Sequence, residues 1–362
     1  MAGSYGRHGS YSLMMLDRVS GFTSIRDQNR PIGLITTYLR KGTIPHAFLF
    51  TGIEGIGKRM TAMAFAMACL CESGRSKENR PSFHSAKTSI SNRPCLNCHA
   101  CRRVASGIHP DVIRINPEGA YIRIRQIRAL CAALSMKPYE AEIRVVLIAN
   151  ANQMNAEAGN ALLKVLEEPP QKTILILTAS AASELLPTIV SRCQSIVFNP
   201  LTQDSIASEL VEKKGVTPSQ AKTIAILANG SMSKAFEMVK TNFASYRKWL
   251  LKTSGVLPSA DDRIPVWQGL ALSETLSKQK ETLNDSLEII KSWLRDVLLY
   301  PYSPAKIINQ DMIYEIGKLS QTESTHALLK KLSVIEDAQK IIAANGNPRL
   351  TLDVMLLQLT QS

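Results

Sequence analysis

Four short apolar runs punctuate the first part of the chain: His46-Ala-Phe-Leu-Phe50, Arg144-Val-Val-Leu-Ile148, Thr173-Ile-Leu-Ile-Leu-Thr178 and Ser195-Ile-Val-Phe198. Each is too short for a helix and too continuously apolar for a strand with one wet face. Each therefore reads as a strand buried on both sides, as in a parallel sheet covered by helices. Between them the period changes. Thr61 to Leu70, rich in Ala and Met, predicts a helix soon after the first strand. Ala158, Ala161, Leu162, Val165 and Leu166 fall on one face of another helix, which Pro169-Pro170 must end, because proline lacks the N–H and clashes with the preceding turn. Beyond Leu201 no period-two pattern recurs; Leu287, Ile290, Leu294 and Val297, and later Leu350, Val354 and Leu357, return at helical spacing. Pro258 to Pro265 predicts a loop between two such helices, and Trp249, Trp267 and Trp293 are expected to fill their packing. The chain thus predicts an α/β domain with a parallel sheet, followed by an all-α region.

The first strand runs into Gly52-Ile-Glu-Gly-Ile-Gly-Lys58, a phosphate-binding P-loop up to its last position. Glycines let successive backbone N–H groups turn inward around phosphate oxygens, while the lysine and the following helix N-terminus add positive charge. Gly52, Gly55, Gly57 and Lys58 fit that pattern, but Arg59 stands where a Ser or Thr hydroxyl would hold Mg²⁺. Arginine has donors and no acceptor, so ATP or ADP binding is expected to be weak or absent, and metal coordination poor. The second metal-binding strand of such sites ends in Asp-Glu; here Arg144 to Ile148 ends in Ala149-Asn150. Three catalytic groups are missing together, and hydrolysis by this chain is not expected. Glu157, on the next helix, is the nearest candidate substitute and a poorly placed one.

Five of the seven cysteines crowd one region: Cys69, Cys71, Cys95, Cys98 and Cys101. Cys95-Leu-Asn-Cys98-His-Ala-Cys101 lets one loop and one helical turn supply three corners of a tetrahedral, structural Zn²⁺ site. Cys71 is the preferred fourth ligand, with Cys69, His84 and His99 as alternatives. Glu72 to Pro94 is a polar insertion read as a mobile loop, and Cys131 and Cys193 read as ordinary small core residues.

At 362 residues and 45% hydrophobic, the chain can build two or three cores, which excludes a disordered or fibrous protein. No apolar run reaches a membrane span, and Met1 to Phe22 lacks the apolar segment of a secretory signal, so a cytoplasmic protein without a membrane partner is expected. A formal net charge of +13 suggests an acidic partner, nucleic acid before others. Arg102, Arg103, Arg123, Arg125 and Arg128 form the densest positive stretch, which could face a phosphate backbone, a neighbouring subunit or only solvent.

Gly159-Asn-Ala-Leu-Leu-Lys-Val-Leu-Glu-Glu-Pro-Pro170 and Leu186-Pro-Thr-Ile-Val-Ser-Arg-Cys193 resemble signature segments of the bacterial DNA polymerase III clamp-loader subunits, which are AAA+ proteins. With degenerate nucleotide motifs, the resemblance is to the delta-prime type. It extends through Pro45-His46-Ala47, the Cys71, Cys95, Cys98 and Cys101 set, Ile108-His-Pro-Asp111, Gly230-Ser231 and Asn345-Gly-Asn-Pro-Arg-Leu350. The resemblance implies an AAA+ P-loop-type domain with a zinc module at 1–199, a helical lid at 200–239 and a helical collar for oligomerisation at 240–362. It also implies that Arg192 is an arginine finger offered in trans to a neighbour's ATP, and that Thr178 occupies the sensor position of a degenerate nucleotide site. Lys234 falls near a second sensor position, and Asp27-Gln28 replaces a Gly-Gln that the family often places near the base. The implied partners are gamma/tau ATPase and delta subunits in a hetero-pentameric ring, the sliding clamp and primer-template DNA. Two other readings are an active clamp-loader ATPase and a zinc-module DNA-binding protein with a vestigial P-loop.

Overall fold

The computed structural model describes residues 21–73, 93–257 and 265–361. It divides into two compact units, Met1–Leu201 and Thr202–Ser362. Residues 74–92 of the polar insertion, His84 among them, and residues 258–264 of the proline-flanked loop lie outside the described residues.

The first unit runs α1 (Asn29–Lys41), β1 (Ala47–Thr51), α2 (Lys58–Leu70), α3 (His99–Ala105), β2 (Val112–Ile115), α4 (Ile124–Leu134), β3 (Arg144–Ile148), α5 (Ala156–Glu167), β4 (Thr173–Ala179), α6 (Pro187–Val190) and β5 (Gln194–Val197). The strands form one sheet in the order β2-β3-β4-β1-β5, and every pairing is parallel, as helical crossovers require. Every residue of β1, β3 and β4 is buried. The chain begins in the sheet interior at β1, crosses to the far edge at β2, walks back through β3 and β4, and adds β5 on β1's other side. The carboxyl end of β1 therefore lies where the strand order reverses, the place at which open α/β sheets bind ligands. β2 has no counterpart among the predicted runs. As an edge strand it is half-buried throughout and carries Arg114, so it lacks the continuous apolar signature of the interior strands.

α5 buries Ala158, Leu162, Val165 and Leu166 in the sheet's core, with Ala161 beside them. Cys131 and Cys193 pack partly buried against that same core.

The second unit is helical: α7 (Gln203–Lys214), α8 (Pro218–Leu227), α9 (Met232–Lys240), α10 (Phe243–Thr253), α11 (Val266–Lys278), α12 (Lys280–Leu299), α13 (Ile313–Thr322), α14 (Thr325–Ala343) and α15 (Pro348–Gln361). Side-chain hydroxyls of Thr202, Ser231 and Ser324 accept from backbone N–H groups three residues on and start α7, α9 and α14. α12 buries Leu287, Ile290, Leu294 and Val297, the predicted stripe. A buried polar network ties the helices together: Arg247 donates to Asn309 at 2.8 Å and to Asp311, and Thr223 donates to Ile308 O at 3.0 Å.

Three expectations need correction. β5, read as a strand buried on both sides, is an edge strand in which only Ile196 is buried and Val197 is 63% exposed; its apolar run is short and one face is left uncovered. α15 buries Leu352, Met355, Leu356 and Leu359, whereas Leu350 and Val354 are 63% and 49% exposed. Apolar residues occur all round this helix, so spacing alone did not select the face that packs on α11 and α14. Of the three tryptophans only Trp293 fills the core, its indole N–H donating to Val256 O at 3.2 Å. Trp249 and Trp267 are exposed, and Trp249 lies against Tyr246 with ring centroids 5.6 Å apart.

Candidate functional site

The P-loop bridges β1 and α2 with left-handed or otherwise positive φ at Gly52, Gly55 and Gly57. Gly52 is the most constrained, because a Cβ there would lie 2.5 Å from Phe198 O and 2.7 Å from Ile56 Cδ1. Gly57 caps α2, its carbonyl accepting the Thr61 N–H and hydroxyl, each at 2.9 Å. The register pairs Phe50 with Thr178, so Thr178 stands beside the loop's entry.

Inside this cradle the cations face protein acceptors. Lys58 Nζ donates to Gly52 O and, at 2.7 Å, to Ile53 O. Burial lowers the Lys58 ammonium to about 8, against the opposing pull of Glu54 and Glu184. Arg59 donates to Asn116 Oδ1 at the carboxyl end of β2; burial likewise lowers its pKa. Gln126 Nε2 donates to Asn116 O at 2.8 Å and fixes the acceptor from the other side. Ala149 is fully buried. Asn150 is left-handed at φ 52°, and its N–H donates to Thr178 Oγ1 at 3.0 Å. Gln28 is fully buried and grips Asn199 twice, donating to its carbonyl at 2.7 Å and accepting its N–H at 3.2 Å. Asp27, where the resemblance places glycine, has φ 56°.

Arg192 follows α6. Its Nη2 pairs with Glu167 Oε1 at 2.9 Å and its Nη1 donates to Thr188 O at 3.1 Å. Thus Gly52, Gly55, Gly57, Lys58, Arg59 and Thr178 converge at one end of the sheet, and among the described residues Arg192 has its partners elsewhere. Lys234 on α9 pairs with Asp285 at 2.6 Å.

The cysteines gather separately. Cys71 follows α2, while Cys95, Cys98 and Cys101 wrap the start of α3. Their four sulfurs lie within 4.8 Å of one another, with Cys95 and Cys101 Sγ 4.0 Å apart. Zinc–sulfur bonds of about 2.3 Å place tetrahedral ligands roughly 3.8 Å apart, so the set can hold a metal ion such as zinc with small adjustment. Backbone N–H groups of Cys95, Cys98 and Cys101 donate to Cys71, Cys95 and Cys98 Sγ at 3.3–3.4 Å, stabilising thiolates. Leu96 takes φ 65° between the first two ligands of the loop. Cys69 is not in the cluster, nor is His99. Burial raises the Cys71 and Cys101 thiols, whereas the Ser73 hydroxyl, then the Cys98 N–H, lower Cys95 to about 6.

The arginine stretch divides between α3 and α4. Arg103 pairs with Glu140 at 2.6 Å and Arg125 with Glu118; Arg102, Arg123 and Arg128 are exposed. Sequence reasoning missed three polar anchors: Asn116, Glu167 and the Asp111 carboxylate that accepts the N–H groups of Tyr139, Glu140 and Ala141. The first and last flank the unpredicted β2, and the only signal for Asp111 was its place in the quoted His-Pro-Asp motif.

Among the described residues no helix is long and apolar enough to cross a membrane. A five-stranded parallel sheet with a P-loop at its reversal, a four-cysteine module and a helical second unit define an AAA+ protein of the clamp-loader class. Residues 27–202 match the family described as DNA polymerase III, delta subunit, and residues 261–361 the one described as DNA polymerase III, delta subunit, C terminal. DNA polymerase III subunit delta' of Bacillus subtilis (strain 168) is 28% identical over 345 residues, spanning 92% of this chain and 96% of that one. The delta' subunit of Pseudomonas aeruginosa is 41% identical over 150 residues, 41% of each chain. Subunit tau of Bacillus subtilis is 26% identical over 97% of this chain but only 63% of its own length. The chain belongs to the delta-prime family of DNA polymerase III clamp-loader subunits.

Proposed function

We propose that this chain is the non-hydrolysing member of a clamp-loading ring, lending Arg192 to the ATP site of an adjacent gamma/tau-type subunit while the ring places a sliding clamp on primed DNA. One observation supports this reading: the side chains at the expected nucleotide site that would meet phosphate or metal are replaced or bonded within the protein. Lys58 is held on Gly52 O and Ile53 O, Arg59 on Asn116, and Ala149 and Asn150 stand in for the two carboxylates. Without a hydroxyl at position 59 and carboxylates at positions 149 and 150, Mg²⁺ loses the ligands that such sites use and the attacking water its base. An arginine finger needs none of these, because it acts on phosphate charge held by another subunit. The partners of this reading are gamma/tau and delta subunits, the clamp and primer-template DNA, in the cytoplasm. The four-cysteine site is closed and its zinc structural. We place a lid at 200–239 and a collar at 240–362.

The test is primed-DNA-stimulated ATP hydrolysis by the reconstituted ring containing the native chain or Arg192→Ala, beside the chain alone. Stimulation by the native chain, loss with Arg192→Ala and silence of the isolated chain are expected. Hydrolysis by the isolated chain that disappears in Lys58→Ala would make it an ATPase instead. For the exposed Arg102, Arg123 and Arg128, DNA affinity that falls steeply with salt, and less steeply in their alanine variants, would assign them phosphate contacts.

A further inference from the structure

Arg192 is unusual in where its counter-charge sits. Glu167 is the last residue of α5, and the carbonyl-rich end of a helix disfavours a carboxylate and favours a cation. The sequence nonetheless places Glu167 and Glu168 together there. At 50% and 36% side-chain exposure the Glu167–Arg192 pair is open to solvent, and pairs of that kind contribute little to folding. A locally unfavourable residue whose bond adds little stability invites a role in geometry.

The geometry is specific. Glu167 Oε1 forms an ion pair with Nη2 at 2.9 Å, while Nη1 donates to Thr188 O at 3.1 Å and to Ser191 Oγ at 3.5 Å. The guanidinium is therefore held on both of its amino groups, by the ends of two helices, α5 and α6. Its backbone is fixed as well, since Arg192 N–H donates to Ile189 O at 3.2 Å. Among the described residues Nε–H takes no acceptor, so the fork keeps donors for something outside the chain. A free arginine samples many rotamers; a tethered one loses less freedom when it meets a phosphate.

We propose that Glu167 is a positioning residue for Arg192, holding the guanidinium in the one rotamer that meets the neighbouring subunit's ATP. This rests on reading Arg192 as the finger in trans. On this proposal Glu167 acts on the turnover rate through Arg192 and leaves ATP affinity nearly unchanged.

The test uses the full reconstituted ring with primed DNA and Mg·ATP, with this chain native or carrying Glu167→Ala, Glu167→Gln, Arg192→Ala, or both alanines, each ring first checked for assembly by gel filtration. Glu167→Ala should lower kcat by roughly three- to tenfold, a size set by the lost pre-organisation, with KM unchanged within about twofold. Glu167→Gln should fall between Glu167→Ala and native, because the amide oxygen keeps its place beside Nη2 but lacks the charge that pairs with it. The double variant should be no slower than Arg192→Ala, since residues acting through one group are not additive. Native or higher kcat in Glu167→Ala would overturn the proposal, as would a double variant slower than Arg192→Ala by the full single-variant factor. If Arg192→Ala itself runs at the native rate, the finger falls and the role of Glu167 with it. A slow Arg192→Ala beside a normal Glu167→Ala removes only Glu167.

Discussion

Asp111→Asn tests how the sheet's edge is held. The Asp111 carboxylate is fully buried and accepts the N–H groups of Tyr139 at 2.6 Å, Glu140 at 2.9 Å and Ala141 at 2.8 Å. Arg144 approaches Oδ1 at 3.9 Å and itself donates to the carbonyls of Ala133, Met136 and Lys137 at 2.8–3.1 Å. Asp111 thus joins the entry of β2, the loop before β3 and the end of α4. Hydrogen bonds to a charged acceptor contribute about 1.5–3 kcal/mol each. In the Asp111→Asn variant the amide oxygen can serve the Glu140 and Ala141 donors, while the NH₂ faces the Tyr139 N–H, so one bond is lost and two lose charge assistance. The expected loss is about 2–4 kcal/mol. At about 2–4 °C per kcal/mol for a unit of this size, its melting should fall by roughly 4–16 °C. Burial alone would raise the Asp111 pKa, but the three N–H groups and Arg144 hold it below the ordinary value. With the folded pKa depressed, the stabilisation is present above the unfolded pKa of about 3.9 and disappears as pH falls through the folded value. Calorimetry of native protein and Asp111→Asn from pH 7 to 3 should therefore show a constant gap down to about pH 5 that narrows below about pH 4. A difference below about 1 kcal/mol at pH 7, or a gap that does not depend on pH, would refute the clamp.

Gly52→Ala should destabilise the first unit by about 2 kcal/mol or more, since φ of 135° and a Cβ 2.5 Å from Phe198 O leave no relaxed solution. Gly33→Ala, on α1 with nothing within 4 Å of the new methyl, should stabilise by about 0.5–1 kcal/mol; equal effects in urea unfolding would contradict the loop geometry. Metal analysis should find one zinc per chain, reduced to near zero in Cys98→Ser, and acidification should release the metal as the thiolates protonate. Full stoichiometry in Cys98→Ser would exclude that ligand. Arg59→Thr should leave ring ATPase within about twofold of native, because restoring one hydroxyl without the two carboxylates rebuilds no metal site.

The interior of the first unit was legible because each of its strands is buried on both faces and so announces itself as a short unbroken apolar run. β2 escaped for the opposite reason: half-wet and interrupted by Arg114, an edge strand has no such run. The helical unit shows the same asymmetry. α12 alternates sharply enough that its buried stripe could be read off spacing, whereas α15 offers apolar residues on every side and only its neighbours decide which turn inward. Three of the cysteines were legible because two-residue gaps between thiols are rare by chance; Cys71, remote in sequence, was preferred as the fourth ligand, and the fold brings its sulfur to the other three.

Identity of residues was easier to read at the nucleotide site than their present use. The missing hydroxyl and carboxylates are visible as Arg59, Ala149 and Asn150, but the partners of what remains are not, because most of them are backbone groups and the other is Asn116 at the end of the unpredicted strand. Lys58 serves the loop carbonyls, Arg59 serves Asn116, Thr178 accepts the Asn150 N–H, and Gln28 grips the Asn199 backbone. On the proposed reading each is a position that would face nucleotide in an active relative, and each here satisfies a polar group of the chain itself. Buried polar groups must find partners, so a site that ceases to hold a ligand can be kept in place by its own internal bonds. On the proposed non-hydrolysing reading, the P-loop sequence serves the β1–α2 turn that it builds.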